Sequence, residues 1–180
     1  MELLTPRLRI RDPRLSDEER LAELGNTRFV RQYLCMPYLS RAEWHDYLLS
    51  MIEKQTNFIV ALRESDELIG KISLQKDDLR YQTNSIGLAY WIGEAWARQG
   101  YMTEAMRAFV PYLFDVLGYE IITVRVFAVN AASRALMQRL GFTQEGYFRR
   151  AVRFEDKVYD DVAFSLLRED WTRARGEANE

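Results

Sequence analysis

The chain has 180 residues, a formal net charge of −2, and acidic and basic side chains interspersed along its length. That length suffices for one domain with its own core, and the charge balance argues against a broad nucleic-acid or anionic-membrane surface. The lone Cys35 excludes an internal disulfide and fits a reducing compartment. The scattered charges of MELLTPRLRIRD, with no long apolar run after them, predict a cytoplasmic protein without signal peptide or membrane span.

Leu8-Arg9-Ile10-Arg11 alternates apolar and charged residues as a half-exposed first strand would, and Asp12-Pro13 stops it. Two helices follow, each opened by capping-box spacing, Ser16-x-x-Glu19 and Ser40-x-x-Glu43; the second buries Trp44, Leu48, Met51 and Ile52. Between them, Phe29 to Leu39 is aromatic-rich around Pro37. Phe58–Leu62 and Leu68–Leu74 read as a hairpin turning near Ser65-Asp66, the second strand alternating from Ile69. Lys76 to Asn84 is polar and reads as a mobile surface loop.

Ile86–Ile92 is an apolar strand broken by Gly93, and from Thr103 the residues Met106, Phe109, Leu113 and Val116 recur at helical spacing toward a C′ glycine, Gly118. A strand thus feeds a helix through a loop carrying Arg98, Gln99 and Gly100. A helix N-terminus offers unpaired N–H groups and partial positive charge, and a bare glycine lets an anion approach, so this loop is either a phosphate cradle or a plain tight turn. Ile121–Val129 is a strand with Ile122, Val124, Val126 and Ala128 on one face. Asn130 ends it, Ala131–Leu140 is a short helix stopped by Gly141, and two strands, Glu145–Phe154 and Lys157–Leu167, join at Glu155-Asp156. Residues 1–172 read as one α/β domain and 173–180 as a charged, disordered tail.

The order Trp96-x-x-x-Gly100-Tyr101-x-Thr103-Glu104-Ala105, then Asn130-x-x-Ser133, Leu140-Gly141-Phe142 and Glu145-Gly146, resembles the GCN5-related N-acetyltransferases, of the RimJ/RimL type that acetylates protein N-termini. The resemblance runs from Leu4-Thr5-Pro6-Arg7-Leu8 to Glu169-Asp170-Trp171. It implies a mixed, mostly antiparallel sheet of about seven strands with a splayed central strand and about four flanking helices. It also implies acetyl-CoA as cosubstrate, a protein N-terminus or small amine as acceptor, and a homodimer as one assembly. Pyrophosphate would be held by main-chain N–H groups of Arg98, Gln99, Gly100, Tyr101, Met102 and Thr103. The usual loop, Gln/Arg-x-x-Gly-x-Gly/Ala, keeps its central Gly100 here, with Ala97 first and Met102 last.

Acyl transfer from a thioester to an amine requires a neutral amine, a stabilised carbonyl oxygen and a departing thiolate, which leaves readily because a thiol's pKa is about 8.5. The resemblance gives carbonyl polarisation to the main chain at Trp91-Ile92, freed by a bulge in the central strand, and makes Phe29 to Leu39 one wall of the acceptor groove, where residue types alone also allow a packed loop without ligand contact. It gives the pantetheine arm to Asn130, and the sulfur to Ser133 as general acid. Residue types alone also allow Asn130 as N-cap and Ser133 as N3 of a helix, and both readings can hold. Relatives carry a base glutamate before the central strand's Tyr-Trp run or after Gly146; here Ser85-Ile86-Gly87 has no carboxylate and the second position is Val152. Water, Glu155, Asp160 or Asp161 remain as bases, or none, and adjacent Asp160 and Asp161 must face opposite ways. His45, off the apolar stripe, reads as a surface histidine, and Cys35 as packed.

The reading is an acetyl-CoA-dependent N-acetyltransferase acting in a ternary complex on an N-terminal α-amine. The alternatives are a small-amine acetyltransferase (polyamine, antibiotic or amino acid) and a non-catalytic acyl-CoA sensor. Neither G-x-G-x-x-G nor G-x-x-x-x-G-K-[ST] occurs, and no Cys/His cluster suggests a metal.

Overall fold

The computed structural model describes residues 1–177. Among them are eight strands: β1 (Glu2–Leu4), β2 (Leu8–Arg11), β3 (Asn57–Leu62), β4 (Leu68–Gln75), β5 (Ser85–Ile92), β6 (Ile121–Phe127), β7 (Thr143–Phe154) and β8 (Lys157–Leu167). They form one mixed sheet in the order β1-β2-β3-β4-β5-β6-β8-β7. Six α-helices accompany it: α1 (Glu18–Gly25), α2 (Arg28–Arg31), α3 (Arg41–Lys54), α4 (Tyr101–Pro111), α5 (Ala131–Arg139) and α6 (Arg168–Glu177). The additions to the expected seven strands and four helices are the three-residue β1, the single turn α2 and the terminal α6. Five residues of the expected tail are thus helical, and 178–180 lie outside the described residues. β5 pairs in parallel with β6 from Ser85↔Ile121 to Leu88↔Val124, although β5 itself runs on to Ile92. This is the splayed central strand.

The chain divides into two compact units, Met1–Leu74 with Ala89–Ala108, and Gln75–Leu88 with Phe109 onward. In the first, Leu21, Leu24, Val30, Trp44, Leu48 and Met51 of the helices pack on Ile59, Ala61, Leu68 and Trp91 of the sheet. Burying each such side chain is worth about 1.5–3 kcal/mol. The Ser40 box forms as expected, with Ser40 N–H donating to Glu43 Oε2 at 2.7 Å. The Ser16 box does not. Asp17 instead accepts from Arg14 N–H at 2.7 Å and from both terminal guanidinium nitrogens of Arg11 at 2.8 Å. Arg11 is consequently buried rather than half-exposed, because a bidentate carboxylate satisfies its donors out of water.

In the second unit, the apolar face of β6 meets that of β8 pair by pair: Ile122↔Leu166, Val124↔Phe164, Val126↔Val162. Pro111 removes a helical donor at the end of α4, and Tyr112–Val116 continue as a π turn in which Leu117 N–H donates to Tyr112 C=O at 3.0 Å. The widened turn rotates the apolar register, so Leu113 is buried while Val116, expected inside, is 69% exposed. The Lys76–Asn84 connection, expected to be mobile, is tied down: Asp77 is buried, accepts from Leu79 N–H at 3.0 Å and pairs with Arg80, which also reaches Glu145 at 2.7 Å.

Candidate active site

Close approach of two backbones opens the site in the first unit. A Cβ on Gly70 of β4 would lie 2.5 Å from the Trp91 carbonyl oxygen and 3.2 Å from the Ile92 Cα, and Gly93 N–H donates to Ile69 C=O at 2.8 Å. Only glycine fits there, and the contact fixes Trp91 and Ile92 against β4. Trp91 is buried in the core cluster, so its indole serves packing.

After a single 3₁₀ turn, Glu94–Trp96, the chain passes through Arg98 at φ +61° and Gly100 at φ +81° into α4. Gly100 C=O accepts the first helical bond from Glu104 N–H at 2.9 Å, so the helix begins two residues earlier than expected. The first-turn amides at Tyr101, Met102 and Thr103 therefore have no helical acceptor and lie beside an exposed glycine. Met102 turns inward and is 8% exposed, so the residue standing where the family pattern has Gly/Ala does not cover them. The Gln99 side chain is spent on the loop itself, donating to Ala95 C=O at 2.6 Å.

The β1–β2 turn holds this loop. Glu104 Oε1 accepts from Thr5 Oγ1 at 2.6 Å and Arg7 N–H at 2.9 Å, and Oε2 accepts from Arg7 Nε at 2.6 Å. Arg7 also donates to Gln99 C=O at 3.1 Å and lies 4.2 Å over the Tyr101 ring. Partial burial pushes the Glu104 carboxyl up, but the bonds from Thr5 and Arg7 and the Arg7 charge outweigh it and hold the pKa below the usual carboxylate range. The structure thus brings Trp91, Ile92 and Arg98 through Thr103 onto one unit, as a rigid strand end followed by an open helix N-terminus. Such a terminus accommodates a diphosphate by main-chain bonds and helix dipole.

Asn130 and Ser133 belong to the second unit. Asn130 caps α5, its Oδ1 accepting from Ser133 N–H at 3.1 Å, which is the local structural role expected for the pair. Of the carboxylates considered as base, Asp160 closes the β7–β8 hairpin, accepting from Tyr147 Oη at 2.8 Å and Arg150 N–H at 2.6 Å. Asp161 pairs instead with Arg125 at 2.8 Å, and burial pushes its carboxyl up. Glu155 sits in the hairpin turn at φ +51°. His45 is half-exposed and bonds Glu18 at 2.7 Å, as a surface histidine would. Cys35 is half-buried. No cluster of three metal-binding side chains occurs among the described residues, and no helix there is long and apolar enough to cross a membrane.

One titratable group went unnoticed in the sequence. Lys71 of β4 is 4% exposed, and its Nζ donates to Tyr47 Oη at 2.5 Å and Asn57 Oδ1 at 3.1 Å. Burial pushes its pKa down to about 7. β4 is buried on both faces, so the alternation along Ile69–Leu74 marks no exposed face. A lysine between Gly70 and Ile72 in an otherwise apolar run was the available signal.

A family model described as an acetyltransferase (GNAT) domain matches residues 7–143. An uncharacterized N-acetyltransferase, p20 of Bacillus licheniformis, is 26% identical over 175 residues, 94% of this chain and 97% of the relative. The ribosomal protein uS5-alanine N-acetyltransferase of Escherichia coli is 30% identical over 112 residues, 62% of this chain and 57% of the relative. A crystal structure of a GNAT-family acetyltransferase from Bacillus anthracis shares the fold at a TM-score of 0.84 and 22% identity, covering 94% of this chain and 99% of that one.

Proposed function

This chain belongs to the GNAT family of acetyltransferases, and from that premise we propose that it transfers the acetyl group of acetyl-CoA to the α-amine of a protein or peptide N-terminus. The observation that carries the reading is the open N-terminus of α4 at Gly100, locked to the β1–β2 turn by Glu104 and Arg7. The named activity of the E. coli relative, N-acetylation of alanine in ribosomal protein uS5, supports the choice of acceptor.

In this mechanism the amides of the first α4 turn hold the pyrophosphate. The Trp91-Ile92 main chain polarises the thioester carbonyl as it gains negative charge; one such preorganised donor is worth about 10²–10³ in rate. The amine attacks in a ternary complex, the tetrahedral intermediate collapses, and the thiolate leaves. By family resemblance Asn130 contacts the pantetheine arm and Ser133 supplies a proton to the sulfur. Because the thiolate is already a competent leaving group, Ser133 contributes modestly and positioning dominates.

Steady-state release of free CoA from acetyl-CoA over a panel of amines tests the reading. Turnover with an alanine-initiated peptide is the expected result. Turnover confined to a polyamine or an amino acid would transfer the function to small amines, and tight CoA binding with no turnover would make the protein a sensor.

A further inference from the structure

Lys71 has an amine but no acid near it. Its partners are the Tyr47 hydroxyl and the Asn57 amide oxygen, both neutral, and Asn57 Oδ1 is shared with Ser73 Oγ at 2.8 Å. A buried ammonium without a counter-ion is costly, so the group favours its neutral form with a free lone pair. At a pKa of about 7 it can bind and release a proton near neutral pH, as general-base work requires.

Position gives this amine a use. Lys71 pairs with Ile59 across the β3–β4 ladder, so the two side chains share a face, and Ile59 and Trp91 lie in the same buried cluster. The contacts of Gly70 with Trp91 and Ile92, and of Gly93 with Ile69, set Lys71 opposite Trp91 on β5. The amine therefore belongs to the stretch of sheet whose main chain would polarise the acetyl carbonyl. Its outlet is Tyr47, a half-buried side chain of α3 that packs on this cluster together with Phe29, Leu34 and Met36. Those three come from the segment that family resemblance makes a wall of the acceptor groove.

We propose that Lys71, reached through the Tyr47 hydroxyl, is the base that takes the proton from the acceptor's ammonium group; the inference rests on the acetyltransferase reading above. The ammonium proton passes to Tyr47 Oη as the Tyr47 proton passes to Lys71 Nζ, leaving a neutral acceptor amine and a lysine ammonium. The amine lone pair forms the C–N bond, the C–S bond breaks with its electrons on sulfur, and the second nitrogen proton ends on the thiolate as CoA thiol. Lys71 then returns its proton to solvent by the same route. The groups facing the amine are Tyr47 from α3, Asn57 and Ile59 from β3, Ser73 from β4 and Trp91 from β5. Only Tyr47 among them titrates, and burial raises its pKa further from neutrality.

The test is the pH dependence of kcat/KM for two peptides differing in α-amine pKa, in the wild-type protein and in Lys71→Met and Tyr47→Phe. The wild type is expected to show an inflection near pH 7 that stays fixed when the acceptor is changed. In Lys71→Met the inflection should follow the acceptor's own pKa and kcat/KM at pH 7 should fall about 10²-fold, a typical loss for a general base. Thermal stabilisation by CoA should be unchanged in Lys71→Met, which separates base loss from misfolding. Tyr47→Phe, which leaves Lys71 in place and breaks the relay, should show the same change in profile. A wild-type inflection that already tracks the acceptor, or variant profiles that superimpose on the wild type, would overturn the inference while leaving the acetyltransferase reading intact. Absence of product from both peptides in the wild type would overturn the functional reading and this inference with it.

Discussion

Arg7 and Glu104, 97 residues apart in sequence, meet in a 2.6 Å ion pair that joins the β1–β2 turn to the first turn of α4. Glu104 accepts two further bonds, from Thr5 Oγ1 and Arg7 N–H, so a single carboxylate satisfies three donors. The helix start that would hold a diphosphate is therefore positioned by the N-terminal turn of the chain.

Replacing Glu104 by Ala should remove all three bonds, leaving Thr5 Oγ1 only its 3.4 Å contact with Leu8 C=O and Arg7 its bond to Gln99 C=O. The expected loss is roughly 1–3 kcal/mol of stability, together with weaker CoA binding. Arg7→Ala, which removes a half-exposed partner, should cost less. Because the folded Glu104 pKa lies below its unfolded value, its contribution is present above the unfolded pKa of about 4.3 and lost as pH falls through the folded value. Chemical denaturation of wild type and Glu104→Gln between pH 3 and 6 checks this, the variant showing the shallower acid dependence.

Gly100 tests the cradle. CoA at a hundredfold excess over Kd should stabilise the wild type by roughly 2.7 kcal/mol. Gly100→Val places a β-branched side chain at φ +81° beside the first-turn amides and should abolish that shift while the unliganded protein remains folded. An unchanged CoA-dependent melting shift in this variant would contradict the assignment.

Gly70→Ala should be more damaging than an ordinary glycine substitution. Its methyl group would stand 2.5 Å from the Trp91 carbonyl oxygen, and backbone cannot rotate away as a side chain can. Forcing β4 from β5 should cost about 1–3 kcal/mol by overpacking and displace the Trp91-Ile92 main chain. Urea denaturation measures the first effect, and kcat with CoA affinity retained measures the second.

Much of this was legible in sequence because it depends on local chemistry. The Ser40 capping box, the Asp66 turn, Gly118 and Gly141 all act within a few residues, and the strand–loop–helix around Gly100 follows from a glycine before helical periodicity. The Ser16 box failed because Asp17 found a better partner in Arg11, a choice set by side-chain pairing rather than by spacing. Val116 is turned outward because Pro111 widened the helix, and Lys71 drew no expectation because alternation separates two faces without saying that both are covered. The Arg7–Glu104 clamp was invisible for a different reason, since no short-range pattern links residues so far apart.

Lys71 also has a thermodynamic signature that does not depend on activity. Its folded pKa of about 7 lies below the unfolded value of about 10.4, so between these limits the unfolded chain binds the extra proton. Stability should therefore rise as pH increases from about 7 toward 10.4 on account of this residue, and below pH 7 the burial cost is fully present. Lys71→Met should be more stable than the wild type at pH 7, with the difference shrinking at high pH. Denaturation midpoints at pH 7 and pH 9.5 for both proteins check the sign.

Mass spectrometry of the product formed from acetyl-CoA and an alanine-initiated peptide containing an internal lysine tests the proposed activity most directly. An α-ammonium with a pKa near 8 gives up its proton near neutral pH far more readily than a lysine ammonium near 10.4. The account predicts a single acetyl group on the α-amine, with equimolar CoA released. An acetyl group found only on the lysine, or no acetylated peptide while a polyamine is acetylated, would contradict it.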